Sequence, residues 1–204
     1  MNKNNMFVVG ITGGAGSGKS LLTQWFSSWG ALSLDVDTYA NELMNNSSHI
    51  KRLLIKSFGD HALRENGLIN RPYLAEIVFN DFNRLQELNT IVWPSLLKSI
   101  KEKLNILQKK YAGIYVLDMA VLFEAQADKL CDHTICVNAP EQERLKRLTE
   151  YRNLSVEQSL ARISSQKRQA VPAICDTVIH NESSMDEFMK KARDLFTEIS
   201  KNIN

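Results

Sequence analysis

Apolar positions along this chain switch between two periods. Residues 6–11 are a short unbroken apolar run, the pattern of a strand buried on both faces of a parallel sheet. A glycine-rich turn follows. Leu21, Leu22, Trp25, Phe26 and Trp29 then recur at helical spacing as far as Gly30, a helix stop. Residues 31–34 predict a second strand that runs out into Asp35-Val36-Asp37. From Thr38 to Tyr111 the period is helical, with Leu53, Leu54 and Phe58 before Gly59, then Leu74, Ile77, Val78 and Phe79. Leu85, Leu88, Ile91 and Val92 lead into Pro94, which is expected to begin or break a helix, and Leu96, Leu97, Ile100, Leu104 and Leu107 continue the period. Strand signals return at residues 114–117, 134–137 and 177–179. Residues 141–150 predict a charged helix and residues 151–171 a mobile surface helix. Phe188, Ala192, Leu195, Phe196 and Ile199 predict a C-terminal amphipathic helix.

Strands that alternate with helices indicate an α/β fold around a parallel sheet. The helical stretch between the second and third strands is too long for a simple crossover and predicts an inserted helical subdomain. The expected organisation is one chain with a core of about 6–37, 113–140 and 172–204, an insertion of about 38–112 and a lid of about 141–171. With 204 residues, 44% of them hydrophobic, the chain can bury one full core. Its formal net charge of +2 does not mark a nucleic-acid binder driven by bulk charge. Cys131, Cys136 and Cys175 show no C-x-x-C spacing and predict reduced thiols. The start is polar, and no stretch approaches the roughly 20 apolar residues of a membrane span, so a soluble cytoplasmic protein is expected.

Residues 13–20 read Gly-Gly-Ala-Gly-Ser-Gly-Lys-Ser, a full match to G-x-x-x-x-G-K-[ST] between a buried strand and a helix. Glycines let backbone N–H groups converge on phosphates, and the helix N-terminus favours negative charge. Gly14, Ala15, Gly16, Ser17, Gly18, Lys19, Ser20 and Leu21 are therefore the expected nucleotide site. Lys19 would reach the β- and γ-phosphates, and the Ser20 hydroxyl would bind Mg²⁺. The motif alone does not separate a kinase from an ATPase or a GTPase.

Asp35 and Asp37 stand where the second strand should end, and on extended backbone i and i+2 point the same way. There a carboxylate can take a proton from an attacking hydroxyl or hold a magnesium ion; Asp35 is the expected metal ligand. The alternative is a turn or helix cap ahead of Thr38 and Tyr39. Asp118 ends an apolar strand as a magnesium-site aspartate does, but many strands end so. Arg144, Lys146, Arg147, Arg152, Arg162, Lys167 and Arg168 crowd the C-terminal third. As a group they fit a lid that brings arginines over a phosphate, and singly they fit a solvated helix face. His49, His61, His133 and His180 show no metal spacing.

This ordered set of motifs resembles one family, dephospho-CoA kinase, over the chain from Val9 to about Asn181. The opening from Gly10 to Ser20 is similar, as is Asp35-Val36-Asp37. Phe58-Gly59, Gly67, Arg71, Leu74, Val78 and Phe79 resemble the family's substrate-domain signature, and Leu88-Asn89 with Trp93-Pro94 occupies the place of L-N-x-x-x-H-P. Leu122-Phe123-Glu124 matches the end of P-L-L-F-E. Arg162, Ile163 and Gln166, and Asp176, Val178, Ile179 and Asn181, match the lid and C-terminal signatures.

The resemblance implies a P-loop nucleotide-kinase fold of three layers, with a five-stranded parallel sheet, a helical CoA-binding insertion and a lid. It implies that ATP, with Mg²⁺, gives its γ-phosphate to the ribose 3′-hydroxyl of dephospho-CoA, and that Asp37 is the base. It implies substrate contacts from Asp37, Phe58, Arg71, Leu74, Phe79, Trp93, Leu122 and Glu124. Trp93 stands where histidine is usual, Asn41 where arginine is common and Ala120 where the family has proline. Tyr151 takes the lid-arginine register, so Arg152 is expected to make that nucleotide contact. Lys19, Ser20 and Asp37 are in place, and catalysis is expected. A monomer is expected, with self-association left open, and neither nucleic acid nor membrane as partner. The rival readings are a P-loop kinase for another small hydroxyl substrate and a non-catalytic nucleotide-binding switch. No N/T-K-x-D guanine-reading element supports the latter.

Overall fold

The computed structural model describes residues 6–79, 81–165, 174–201 and 203. The chain forms two compact units. One joins the residues up to Asp35 with those from Leu107 onward, and the other is Val36–Ile106.

The first unit is built on five parallel strands: β1 (Met6–Thr12), β2 (Leu32–Asp35), β3 (Gly113–Asp118), β4 (His133–Asn138) and β5 (Thr177–His180). Their order is β2-β3-β1-β4-β5. The three inner strands are the apolar runs and are buried on both faces, whereas the short β2 lies at an edge and is largely exposed. Its helices are α1 (Lys19–Ser28), α6 (Glu141–Arg152), α7 (Val156–Ser165) and α8 (Met185–Lys201). One cluster fills the space between sheet, α1 and α8. Val9, Ile11, Val116, Ile135 and Val137 come from the strands, and Leu22, Phe26, Phe188 and Ile199 from the helices. Phe26 meets Phe196 edge-on at 5.1 Å between ring centroids, and its complete burial makes it worth about 3–5 kcal/mol against alanine.

Gly10 is required by close approach. A Cβ there would stand 2.8 Å from both Leu122 Cδ2 and Cys131 Sγ, so the segment after β3 packs directly on the β1 backbone. The Thr12 hydroxyl donates to the Ala120 carbonyl at 3.0 Å and the Met119 N–H to the Ile11 carbonyl at 3.0 Å, which ties the end of β1 to the residues after β3.

The second unit is helical: α2 (Val36–Asn46), α3 (Ser48–Phe58), α4 (Arg71–Phe79) and α5 (Phe82–Leu107), the last carrying the chain back to the first unit. Its core includes Ile50, Leu54, Phe58, Ala62, Ile69, Leu74, Ile91 and Val92. Arg84 clips α5 to the end of α3, with Nη2 donating to the Ser57 carbonyl at 2.8 Å and the guanidinium 4.4 Å from the Phe58 ring centroid. Contrary to expectation, α5 runs unbroken through Pro94. Proline cannot donate to the Thr90 carbonyl, but Ile91, Val92, Leu96, Ile100 and Leu104 on both sides of it are buried, and that burial outweighs one missing hydrogen bond.

The residues expected as mobile surface helix contain an ordered one. Ser155 and Gln158 close a reciprocal capping box, each backbone N–H donating to the other side chain at 3.1 Å, and α7 then packs on α6. The expectation for residues 166–171 lies outside the described residues. Among the described residues no helix is long and apolar enough to cross a membrane.

Candidate active site

The site begins where the strand order reverses. From β1 the chain goes to β2 and β3 on one side and to β4 and β5 on the other, which opens a crevice at the carboxyl ends of the strands. Residues 13–20 fill this crevice, between the end of β1 and the start of α1. The loop tightens through a bond from the Ser17 N–H to the Gly14 carbonyl at 3.0 Å. Gly18 adopts φ +105°, a conformation that excludes an ordinary side chain, and opens α1 without a side-chain cap. The first turn of α1 also lacks an acidic residue. By contrast, α3, α5, α7 and α8 have their first turns capped by Ser47, Asp81, Ser155 and Ser184. The positive end of α1 is thus left to an outside anion.

The walls of the loop come from distant parts of the same unit. Asn181, just past β5, donates from Nδ2 to the Ser17 carbonyl at 2.8 Å, and its own N–H bonds the Asn138 carbonyl at the end of β4. Arg147 of α6 donates to the Asn181 carbonyl at 3.0 Å and lies 3.4 Å from the carbonyls of Gly16 and Ser17. Arg144, one turn earlier, donates from Nε to the Ala15 carbonyl at 2.9 Å. Ser17 Oγ is buried with no protein partner among the described residues.

Lys19 meets Asp118 as a close ion pair, with side chains 15% and 8% exposed. Asp118 is in register with Ile11 of β1 and with Asp35 of β2, so the two carboxylates share one row at the strand ends. The arrangement offers a positive helix end, a lysine and two acids within one crevice. That is a set for holding a polyphosphate and its cation.

The family model for dephospho-CoA kinase matches residues 7–187. A dephospho-CoA kinase of Carboxydothermus hydrogenoformans is 34% identical over 180 residues, 88% of this chain and 87% of that protein. One of Thermobifida fusca is 32% identical over 200 residues, 98% of this chain and 99% of that one. This chain belongs to the dephospho-CoA kinase family. The solved structure of a dephospho-CoA kinase from Campylobacter jejuni superposes with a TM-score of 0.70 at 26% identity, covering 97% of this chain and 98% of that one. The five-stranded parallel sheet with its flanking helices is accordingly the α/β P-loop kinase fold.

Against that family frame, the expected nucleotide residues from Gly14 to Leu21 lie together on the loop and the head of α1. The two acids of the D-x-D element do not share one extended strand, which corrects the alternation argued from the sequence. Strand β2 ends at Asp35 and helix α2 starts at Val36, so Asp37 lies in the first turn of α2. Carboxylates are favourable in a first turn, and no residue separates strand from helix. Arg152 is the exposed last residue of α6, next to Asn153 in the left-handed conformation that ends the helix.

The expected substrate residues divide by environment. Phe58 and Leu74 are buried in the core of the helical unit. Arg71 and Phe79 mark the two ends of α4, and both are exposed, Phe79 to 70%. Trp93 is half-buried on α5. Leu122, another expected substrate contact, is fully buried, and its side chain packs against Gly10. Glu124 is exposed on the turn after β3, yet nearby protein desolvates its carboxyl and pushes it above the ordinary value.

Sequence reasoning undervalued Asp118, Arg144, Arg147 and Asn181. Asp118 had only its strand-end position as a signal, and the arginines were submerged in a basic segment. Asn181 showed solely through the family's C-terminal signature.

Proposed function

We propose that this chain transfers the γ-phosphate of ATP to the ribose 3′-hydroxyl of dephospho-CoA, giving CoA and ADP. The observation that carries the reading is the uncapped phosphate loop, with Lys19 beside Asp118, in a chain that matches the family along nearly its whole length. Lys19 exchanges its carboxylate partner for the terminal phosphates, and the open amides of α1 hold them. Asp37, at the first turn beyond β2, orients the attacking hydroxyl and takes its proton. Transfer is direct and in line, with no covalent enzyme intermediate.

The donors suit Mg²⁺: the Ser20 hydroxyl on the first turn of α1 and the Asp35 carboxylate at the end of β2 are hard oxygen ligands. Held by these two residues, Mg²⁺ would supply positive charge to offset that of the phosphates. In this reading the helical unit takes dephospho-CoA, and the exposed Arg71 and Phe79 supply a cation and an aromatic face. Trp93 replaces a polar contact, and Glu124 completes the acceptor site. Helices α6 and α7 belong to the lid over the nucleotide, with Arg152 as a lid contact. The enzyme acts as a cytoplasmic monomer.

The deciding experiment couples ADP release to MgATP with and without dephospho-CoA, with mass detection of CoA. ADP release that depends on dephospho-CoA and yields CoA upholds the reading. Nucleotide binding with no CoA formed overturns it. Asp37→Asn is expected to keep nucleotide binding and lose most turnover, about 100-fold or more in kcat; near-normal turnover removes Asp37 as the base.

A further inference from the structure

The arginines set against the phosphate loop, Arg144 and Arg147, are not the one that the register of the lid suggests. Arg144 is half-buried, and its guanidinium lies on the loop backbone with Nε bonded to the Ala15 carbonyl. A Cβ on Gly14 would come within 2.8 Å of Arg144 Cζ, and one on Gly16 within 2.6 Å of the Arg144 carbonyl oxygen. Two glycines of the loop therefore make the room that this one residue fills, Gly14 for its head group and Gly16 for its main chain. Arg152 stands at the other end of the same helix, about 12 Å along the axis at roughly 1.5 Å per residue, and is exposed.

A guanidinium held by its Nε has its plane fixed, and its two terminal nitrogens form a fork that matches phosphate oxygens. Here that plane rests on the loop whose amides serve the same phosphates. Burial pushes the Arg144 guanidinium below its ordinary value, with Glu141 opposing the shift. A cation kept where water is scarce is one for which an arriving anion restores lost solvation.

We propose that Arg144 is a nucleotide-contact residue, a second fixed cation beside Lys19 that binds the terminal phosphates at the loop. The inference rests on the kinase reading for what is transferred, but not for the contact itself. It assigns to α6 a phosphate ligand already in place before any lid movement. The loss of an arginine from the lid register at Tyr151 is thereby made good one helix end away.

The test compares wild type with R144Q and R144K in two measurements: calorimetric titration with the magnesium complex of a non-hydrolysable β,γ-imido ATP analogue, and steady-state turnover. For R144Q the analogue is expected to bind about 10-fold more weakly and kcat to fall about 100-fold, with KM for dephospho-CoA within about twofold of wild type. R144K keeps the charge and loses the fork and the Nε bond, so it should regain about 10-fold of the lost kcat. Wild-type analogue affinity in R144Q overturns the proposal. So does an R144K as deficient as R144Q, because packing of the loop alone would then explain both. If R144Q does not fold, R144K decides: weakened analogue binding with unchanged KM for dephospho-CoA upholds the contact, and wild-type binding removes it. A wild-type protein that binds the analogue but makes no CoA sinks the kinase reading and leaves the titration arm to judge Arg144.

Discussion

Replacing Lys19 by methionine tests whether the Lys19–Asp118 pair holds the fold as a buried charge pair. Both side chains are mostly shielded, at 15% and 8% exposure, and Asp118 lies between β1 and β2 at the floor of the crevice. Methionine keeps the length and removes the charge, which leaves the Asp118 carboxylate shielded without its cation. Breaking a buried pair in this way costs about 3–5 kcal/mol, and the residual exposure of Lys19 favours the lower end. For a chain of 204 residues, about 3 kcal/mol corresponds to a fall in melting temperature of about 6–12 °C. The assay is thermal unfolding without nucleotide of wild type, Lys19→Met, Asp118→Leu and the double variant. The double variant is expected to recover at least half of the loss, since no charge is left stranded. A Lys19→Met protein that melts within about 2 °C of wild type would refute the reasoning, because solvent would then be screening Asp118 unaided.

Other outcomes follow from the same geometry. Gly18→Ala forces a side chain onto φ +105° and sets its Cβ 2.4 Å from Asn181 Nδ2, displacing the amide that holds the Ser17 carbonyl. A loss of about 2 kcal/mol and weakened nucleotide binding are expected, measured by melting and titration; an unchanged loop affinity would refute this. The Thr134 hydroxyl and backbone N–H, bonded to Asp176 Oδ2 at 2.6 and 2.8 Å, hold the Asp176 carboxyl below its ordinary value. Its folded state is therefore the weaker proton binder, so this stability is present above about pH 4 and is lost as pH falls toward the lowered value. Asp176→Asn should flatten that part of an acid-unfolding curve, and an unaltered curve would count against it. Burial, with Asp128, Asp132 and Asp176 nearby, pushes the Cys131 thiol up to about 12, so iodoacetamide at pH 8 should label it in the unfolded chain far faster than in the folded one. Equal labelling rates would show that the site opens freely.

The course of β1, the phosphate loop and α1 was legible because each depends on neighbours in sequence. An apolar run, a glycine pattern and a 3.6-residue period need no knowledge of what lies across the fold. The helical stretch between β2 and β3 was legible for the same reason, as was the C-terminal helix α8. Pro94 misled because a local rule met long buried flanks on α5, and tertiary burial outweighed it. Asp37 misled because strand and helix abut at Asp35 and Val36, leaving no loop residue for composition to reveal.

By itself the sequence determined the glycine-rich loop between β1 and α1, the α/β class, the helical stretch between β2 and β3 and the kinship to one kinase family, since all of these are written in contiguous residue types. Only the tertiary structure decided which distant groups serve the loop. It brought Asp118 to Lys19 by placing β3 beside β1, and Asn181 to Ser17 by returning the chain past β5. It also singled out Arg144 and Arg147 from a run of basic residues by the face of α6 that packs on the loop. Those pairings span about a hundred residues or more of chain. Their free energy exists only when hydrophobic burial in the sheet has already set the strands in order, so no local pattern records them.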